Sequence, residues 1–130
     1  MTYDCHNRAK YLLIFHVIFV VKYRKPLVQL YGTEMKTIFT QIAAKSAVRI
    51  KELELDHDQI HLLIQTLPSL SPAQLVRRLK QESARLIWQA HPELTPEFWK
   101  KKVFWSDGYF CCTIGNASLQ TIQEYINNQG

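Results

Sequence analysis

Apolar, β-branched and aromatic residues crowd into the segment Tyr11 to Tyr23 (YLLIFHVIFVVKY), where His16 interrupts an otherwise hydrophobic run. Such a run predicts a long strand, buried on both faces for much of its length. Residues 1–10 are polar and predict an irregular lead-in. Lys22-Tyr23-Arg24-Lys25-Pro26 ends the strand, since proline cannot donate to a ladder. From Gly32 to Lys45 the period changes. Met35, Ile38, Phe39, Ile42 and Ala43 recur at helical spacing and predict an amphipathic helix. Val48 to Leu55 alternates, with Val48, Ile50, Leu53 and Leu55 among charged residues, as in a half-exposed strand. The short link Asp56-His57-Asp58 predicts that Gln59–Gln65 (QIHLLIQ) folds back as an antiparallel partner.

Ser71-Pro72 is a helix start, with Ser71 as N-cap and Pro72 in the first helical position. Leu75, Val76, Leu79, Leu86 and Ile87 give this helix one apolar side as far as about Ala90, and His91-Pro92 ends it. Residues 92–104 predict a loop or a short helical turn. Trp105 to Thr113 predicts a last strand, and Asn116 or Ser118 caps a final helix through Asn128. The order is strand, helix, strand, strand, helix, strand, helix. It predicts an α+β fold in a single domain, 1–130. The expected architecture is a ferredoxin-like (split βαβ) antiparallel sheet with helices on one face and an added C-terminal helix. The other face would be free for a ligand.

Composition narrows the classes. The 130 residues are 47% hydrophobic and 21% charged, too apolar for a disordered chain. The formal charge of +5 fits a polyanionic partner without identifying one. The cysteines are Cys5, Cys111 and Cys112, an odd count and a poor disulfide framework, and no CxxC pair points to zinc. A reducing, cytoplasmic location is expected. The run Tyr11–Val21 is too short to span a bilayer and lacks a signal-peptide cleavage site, so no membrane association is expected.

Three groups of residues could carry chemistry. Gln59 and His61 are two apart on a strand, so they share a face and could offer oxygen and nitrogen to one metal ion. The plain alternative is a satisfied sheet histidine beside a solvated glutamine. Tyr125 and Gln129 stand at i and i+4 on the final helix and share a face, as nucleophile and neutral oxygen ligand, or as a core residue and a frayed tail. Lys22, Tyr23, Arg24 and Lys25 after the first strand, with Arg77, Arg78, Lys80 and Arg85 on the long helix, could neutralise phosphates and stack on bases, or form an ordinary solvated surface.

Taken in order, these segments resemble the single-tyrosine HUH transposases of small bacterial and archaeal insertion sequences, the TnpA type. His16-Val17-Ile18-Phe19-Val20-Val21-Lys22-Tyr23-Arg24 is similar to the family's first strand and its Lys-Tyr-Arg ending. Asp58-Gln59-Ile60-His61-Leu62-Leu63-Ile64 resembles its paired-histidine strand, and Leu79–Arg85 its long helix. Phe104-Trp105 through Tyr109-Phe110 resembles the strand before the last helix, and Gln123–Gln129 the catalytic helix. The resemblance implies that Tyr125 attacks a DNA phosphate to form a 5′-phosphotyrosine link. It also implies Mg²⁺ or Mn²⁺ held by Gln59, His61 and Gln129, single-stranded DNA with hairpin ends as substrate, and a homodimer.

The sequence departs from the family at Gln59, which stands where the first histidine of the motif is found. A glutamine carbonyl can ligate Mg²⁺ or Mn²⁺, though as a weaker donor than imidazole. His57 could substitute, or the site could be decayed. Competing readings are a non-catalytic nucleic-acid-binding module of the same fold, a regulatory domain indifferent to DNA, and a metal-dependent hydrolase using Asp56 and Asp58.

Overall fold

The computed structural model describes residues 4–6, 9–94 and 103–113. Its main sheet has four strands: β3 (Leu13–Val20), β4 (Arg49–Leu55), β5 (Gln59–Thr66) and β6 (Phe110–Thr113). They lie in the order β4-β5-β3-β6, and every neighbouring pair is antiparallel. This is the split βαβ arrangement: β3 and β4, joined through the short helix α1 (Leu27–Leu30) and helix α2 (Gly32–Ala44), are separated in space by β5. The predicted ferredoxin-like sheet is therefore present.

Register assigns each side chain to a face, because directly opposed residues on paired strands point the same way. Val17 faces Leu62, Phe15 faces Ile64 and Phe19 faces Ile60. These six are buried in one cluster with Met35, Ile38 and Phe39 of α2 and with Leu75, Val76 and Leu79 of helix α3 (Pro72–Ala90). Both helices thus pack on one face of the sheet. Each core side chain of this size stabilises the fold by about 1.5–3 kcal/mol over an exposed one. The opposite face carries His16, Ile18, Gln59, His61 and Gln65, joined by Phe110 and Cys112 of β6.

Helix α3 begins as its sequence requires. Ser71 Oγ accepts from the Gln74 backbone N–H at 3.1 Å, and Gln74 Oε1 accepts from the Ser71 N–H at 2.9 Å. This capping box satisfies donors that the first turn leaves open.

Three expectations need correction. Residues 4–6 and 9–11 form a small hairpin, β1 (Asp4–His6) and β2 (Ala9–Tyr11), in place of an irregular lead-in. The first long strand stops at Val20 rather than Tyr23. Lys22–Arg24 instead form a 3₁₀ turn with Tyr23 at φ 61° and Arg24 at φ 53°. The last strand is only Phe110–Thr113, with Trp105 reduced to an isolated bridge to Val21. The predicted final helix, with Tyr125 and Gln129, lies outside the described residues.

Candidate functional site

Strand β5 brings Gln59 and His61 onto the sheet face away from α2 and α3. Opposite them on β3 stand Val20 and Ile18. Both polar side chains are buried, with 6% exposure each. His16, 4% exposed, lies diagonally across on β3, and its ring stacks on that of His61 with centroids 6.0 Å apart and planes 27° apart. Among the described residues neither Nδ1 has a hydrogen-bond partner. Orphaned buried nitrogens are costly unless something meets them.

Both imidazoles are held neutral. Burial, and then the neighbouring His61, push His16 down to about 4. Burial also lowers His61, against the opposing pull of Glu54 and Asp56. Neutral imidazole is the form that binds metal. The donors on this face therefore fit a divalent ion: imidazole nitrogen from His61 and an amide oxygen from Gln59. Among the described residues no group of three or more His, Cys, Asp or Glu side chains could hold a metal. A mixed nitrogen and oxygen set suits Mn²⁺ better than Mg²⁺.

The turn before Gln59 is tied to the end of β3. Asp58 is buried, and Arg24 Nε donates to its Oδ2 at 2.7 Å. This pairing keeps the Arg24 guanidinium firmly protonated. The Val21 N–H donates to the Asp58 carbonyl at 2.9 Å. Arg24 therefore sits beside Gln59 in a left-handed backbone conformation that a non-glycine residue adopts only when its surroundings demand it. His57 is exposed in the same turn, where its Nδ1 meets Gln29 Oε1 at 3.0 Å.

The basic residues divide by position. Lys22 lies 5.6 Å from the ring of Tyr23, which is exposed, and Lys25 is half-buried. On α3, Arg77 and Arg78 are exposed and Arg85 pairs with Glu82 at 2.8 Å. Arg77 and Arg85 also line a cavity of about 470 Å³ with Trp88 and Phe104. Lys80 differs from its neighbours. Its ammonium donates to the carbonyls of Ser106 (2.6 Å), Gly108 (2.9 Å) and Asp107 (3.2 Å). Half-buried, it is lowered by desolvation, partly offset by Asp107. Lys80 thus clasps the loop that leads into β6.

A second cavity, of about 560 Å³, opens beside Gln59 and is bordered by Arg24, Tyr109 and Phe110 over a floor of β3. Sequence reasoning passed over His16 and Tyr109 as site residues and weighed Asp58 only as a carboxylate for a hydrolase. Their signals were available: a histidine in phase with the other polar positions of the sheet, an aspartate adjoining the motif, and an aromatic after a glycine. The three cysteines are free, Cys5 exposed and the other two half-buried, and burial together with Cys112 raises Cys111 to about 11. Among the described residues no helix is long and apolar enough to cross a membrane.

Comparison with known proteins bears on this geometry. Residues 9–129 match a family model described as IS200-like transposase. The ISDra2 transposase TnpA of Deinococcus radiodurans is 32% identical over 120 residues, covering 92% of this chain and 85% of that protein. The transposase for insertion sequence element IS200 of Salmonella typhimurium is 29% identical over 118 residues, covering 88% and 75%. A crystal structure of a candidate transposase from D. radiodurans R1 has a TM-score of 0.80 at 29% identity, with 97% of each chain covered. A REP-associated tyrosine transposase bound to a REP hairpin shares the fold at a TM-score of 0.61 and 9% identity, covering 92% of this chain and 67% of the other.

Proposed function

Since the chain belongs to the IS200-like transposase family, we propose that it cuts and rejoins single-stranded DNA with Tyr125 as the nucleophile. The observation that carries this reading is the buried pairing of Gln59 with His61 on the sheet face away from the helices, with His61 neutral and its Nδ1 unmet among the described residues.

Gln59, His61 and Gln129 would hold one Mg²⁺ or Mn²⁺. When bound, that ion polarises the scissile phosphate and offsets the charge that builds there. The Tyr125 hydroxyl attacks phosphorus, the P–O3′ bond breaks, and the freed 3′ oxygen takes up a proton. The tyrosyl phosphate ester keeps the energy of the broken bond, so a 3′-OH can later attack it and release the tyrosine without ATP. A free tyrosine hydroxyl, with a reference pKa near 10, is a weak nucleophile at neutral pH, which is why this help is needed. Arg24, fixed by Asp58, supplies a permanent positive charge at the same place.

Hairpin ends as the recognised substrate are supported by the relative of this fold that is bound to a REP hairpin. A homodimer, as the resemblance implies, acting in the reducing cytoplasm that the cysteine usage suggests, completes the reading. Gln59 is read as a working oxygen ligand of reduced affinity, and His57, engaged with Gln29, as a residue of the turn.

The test is a denaturing gel of the protein with labelled single-stranded DNA carrying the element's own ends, with and without Mn²⁺. A metal-dependent covalent adduct in the wild type, lost in Tyr125→Phe, is expected. An adduct formed by Tyr125→Phe would overturn the nucleophile assignment. Hairpin binding with no adduct would favour a catalytically decayed member of the same fold.

A further inference from the structure

The cavity beside Gln59 has a composition that a metal site alone does not require. Tyr109 is 45% exposed, one of few large apolar side chains among the described residues that face solvent. Its position is nevertheless fixed. Lys80 binds the carbonyls of the three residues before it, and the same ammonium lies 5.9 Å from the Tyr109 ring and 5.8 Å from that of Phe19. An exposed aromatic ring on an anchored loop has already lost the freedom that stacking would otherwise remove.

Arg24 lines the same cavity, with 65% of its side chain exposed. Its Nε is taken by Asp58, and its remaining N–H groups meet no acceptor among the described residues. Ile18 and Val20, which share the sheet face of His61 and Gln59, provide an apolar floor. A ring to stack on, an apolar floor and a guanidinium with free donors match one nucleotide: flat base, apolar edge, anionic phosphate. The volume of about 560 Å³ lies within the range of small-molecule sites.

We infer that this cavity is a subsite for one unpaired nucleobase of the DNA strand, stacked on Tyr109, with an adjoining phosphate on Arg24. The inference rests on the proposed strand-transfer function and deepens it. Because Gln59 borders the cavity, the bound nucleotide neighbours the scissile phosphate and sets where the strand lies relative to the nucleophile. Stacking tolerates every base, so Tyr109 fixes position and leaves sequence choice to other contacts.

The test uses the full chain and short oligodeoxythymidylates bearing one 5-iododeoxyuridine, scanned along the strand. Irradiation, then peptide mapping, reads which residue the base touches, and fluorescence anisotropy reads affinity. Crosslinking to Tyr109 is expected. Tyr109→Ala should weaken binding about tenfold with an unchanged salt slope, and Tyr109→Phe should bind like the wild type. Arg24→Gln should lower the salt slope by about 0.7. Oligonucleotide binding with no crosslink at Tyr109, and equal affinity in Tyr109→Ala, would overturn the subsite and leave the proposed function standing. Failure of the wild type to bind single strands at all would overturn both.

Discussion

Replacing Lys80 with methionine separates two roles that the sequence alone assigns to one residue. Read from helix periodicity, Lys80 belongs with Arg77, Arg78 and Arg85 as a phosphate contact. In the folded chain its ammonium is occupied by three backbone carbonyls. A hydrogen bond from a charged donor contributes about 1.5–3 kcal/mol. Asp107 and Gly108 are exposed, so water replaces the lysine at their carbonyls, and only the half-buried Ser106 carbonyl loses a full bond. The two ring contacts add about 0.5–1 kcal/mol each, and release of the lysine from its desolvated position offsets part of the sum. The net expected loss is about 1.5–3 kcal/mol, a fall in Tm of roughly 5–12 °C for a domain of this size. Thermal melts and salt-titrated anisotropy with a single-stranded oligonucleotide should be run on the same preparations. A clasp predicts the lower Tm, a salt slope equal to that of the wild type, and weaker stacking at Tyr109. A phosphate contact predicts an unchanged Tm and a slope smaller by about 0.7. The second pattern would refute the clasp.

Ser83→Ala should cost about 1–3 kcal/mol, because Trp105 Nε1 donates to Ser83 Oγ at 2.9 Å in a buried site and would be left without an acceptor. An unchanged urea midpoint would show that this bond carries no weight. Gln59→His should strengthen Mn²⁺ binding severalfold by calorimetry, and equal affinities would remove Gln59 from the ligand set. His91 is raised by Glu93 and Glu34, so its contribution is fully present below the unfolded pKa and is lost as pH rises through the higher folded value. Wild-type protein should therefore lose Tm relative to His91→Gln as pH rises above the ordinary histidine range, about 6.5. Parallel curves for the two would show that the pairs seen at 2.7 and 2.8 Å do not affect stability.

What the sequence revealed depended on whether the deciding contact was local. Helix α3 was legible because its start is written in adjacent residues, Ser71 and Pro72, and its apolar side in a regular period. The strands of the main sheet were legible from apolar runs, from the alternation of Val48–Leu55 and from the short link to Gln59, and strand period put Gln59 and His61 on one face. The end of β3 was not legible. Lys22-Tyr23-Arg24 has side chains that suit a strand, but the backbone turns there because Arg24 pairs with Asp58, far away in sequence. Residues 106–109 failed as strand for a similar reason. Lys80 draws their carbonyls away from the ladder, leaving only Phe110–Thr113 paired. His16 was visible as an interruption, but only the register with β5 shows that it lies against His61.

The two consecutive left-handed residues, Tyr23 and Arg24, also bear on how this protein responds to selection. Glycine or asparagine would occupy those φ values at lower cost, since such non-glycine conformations typically cost about 1–3 kcal/mol each. A screen for thermal robustness alone would therefore enrich substitutions at Tyr23, removing the aromatic ring that the turn presents, whereas at Arg24 the lost pair with buried Asp58 offsets the gain. Heat tolerance and the nucleic-acid contact proposed for this turn are thus in opposition at Tyr23. A stabilised variant meant to keep activity should gain its robustness elsewhere and leave both residues in place.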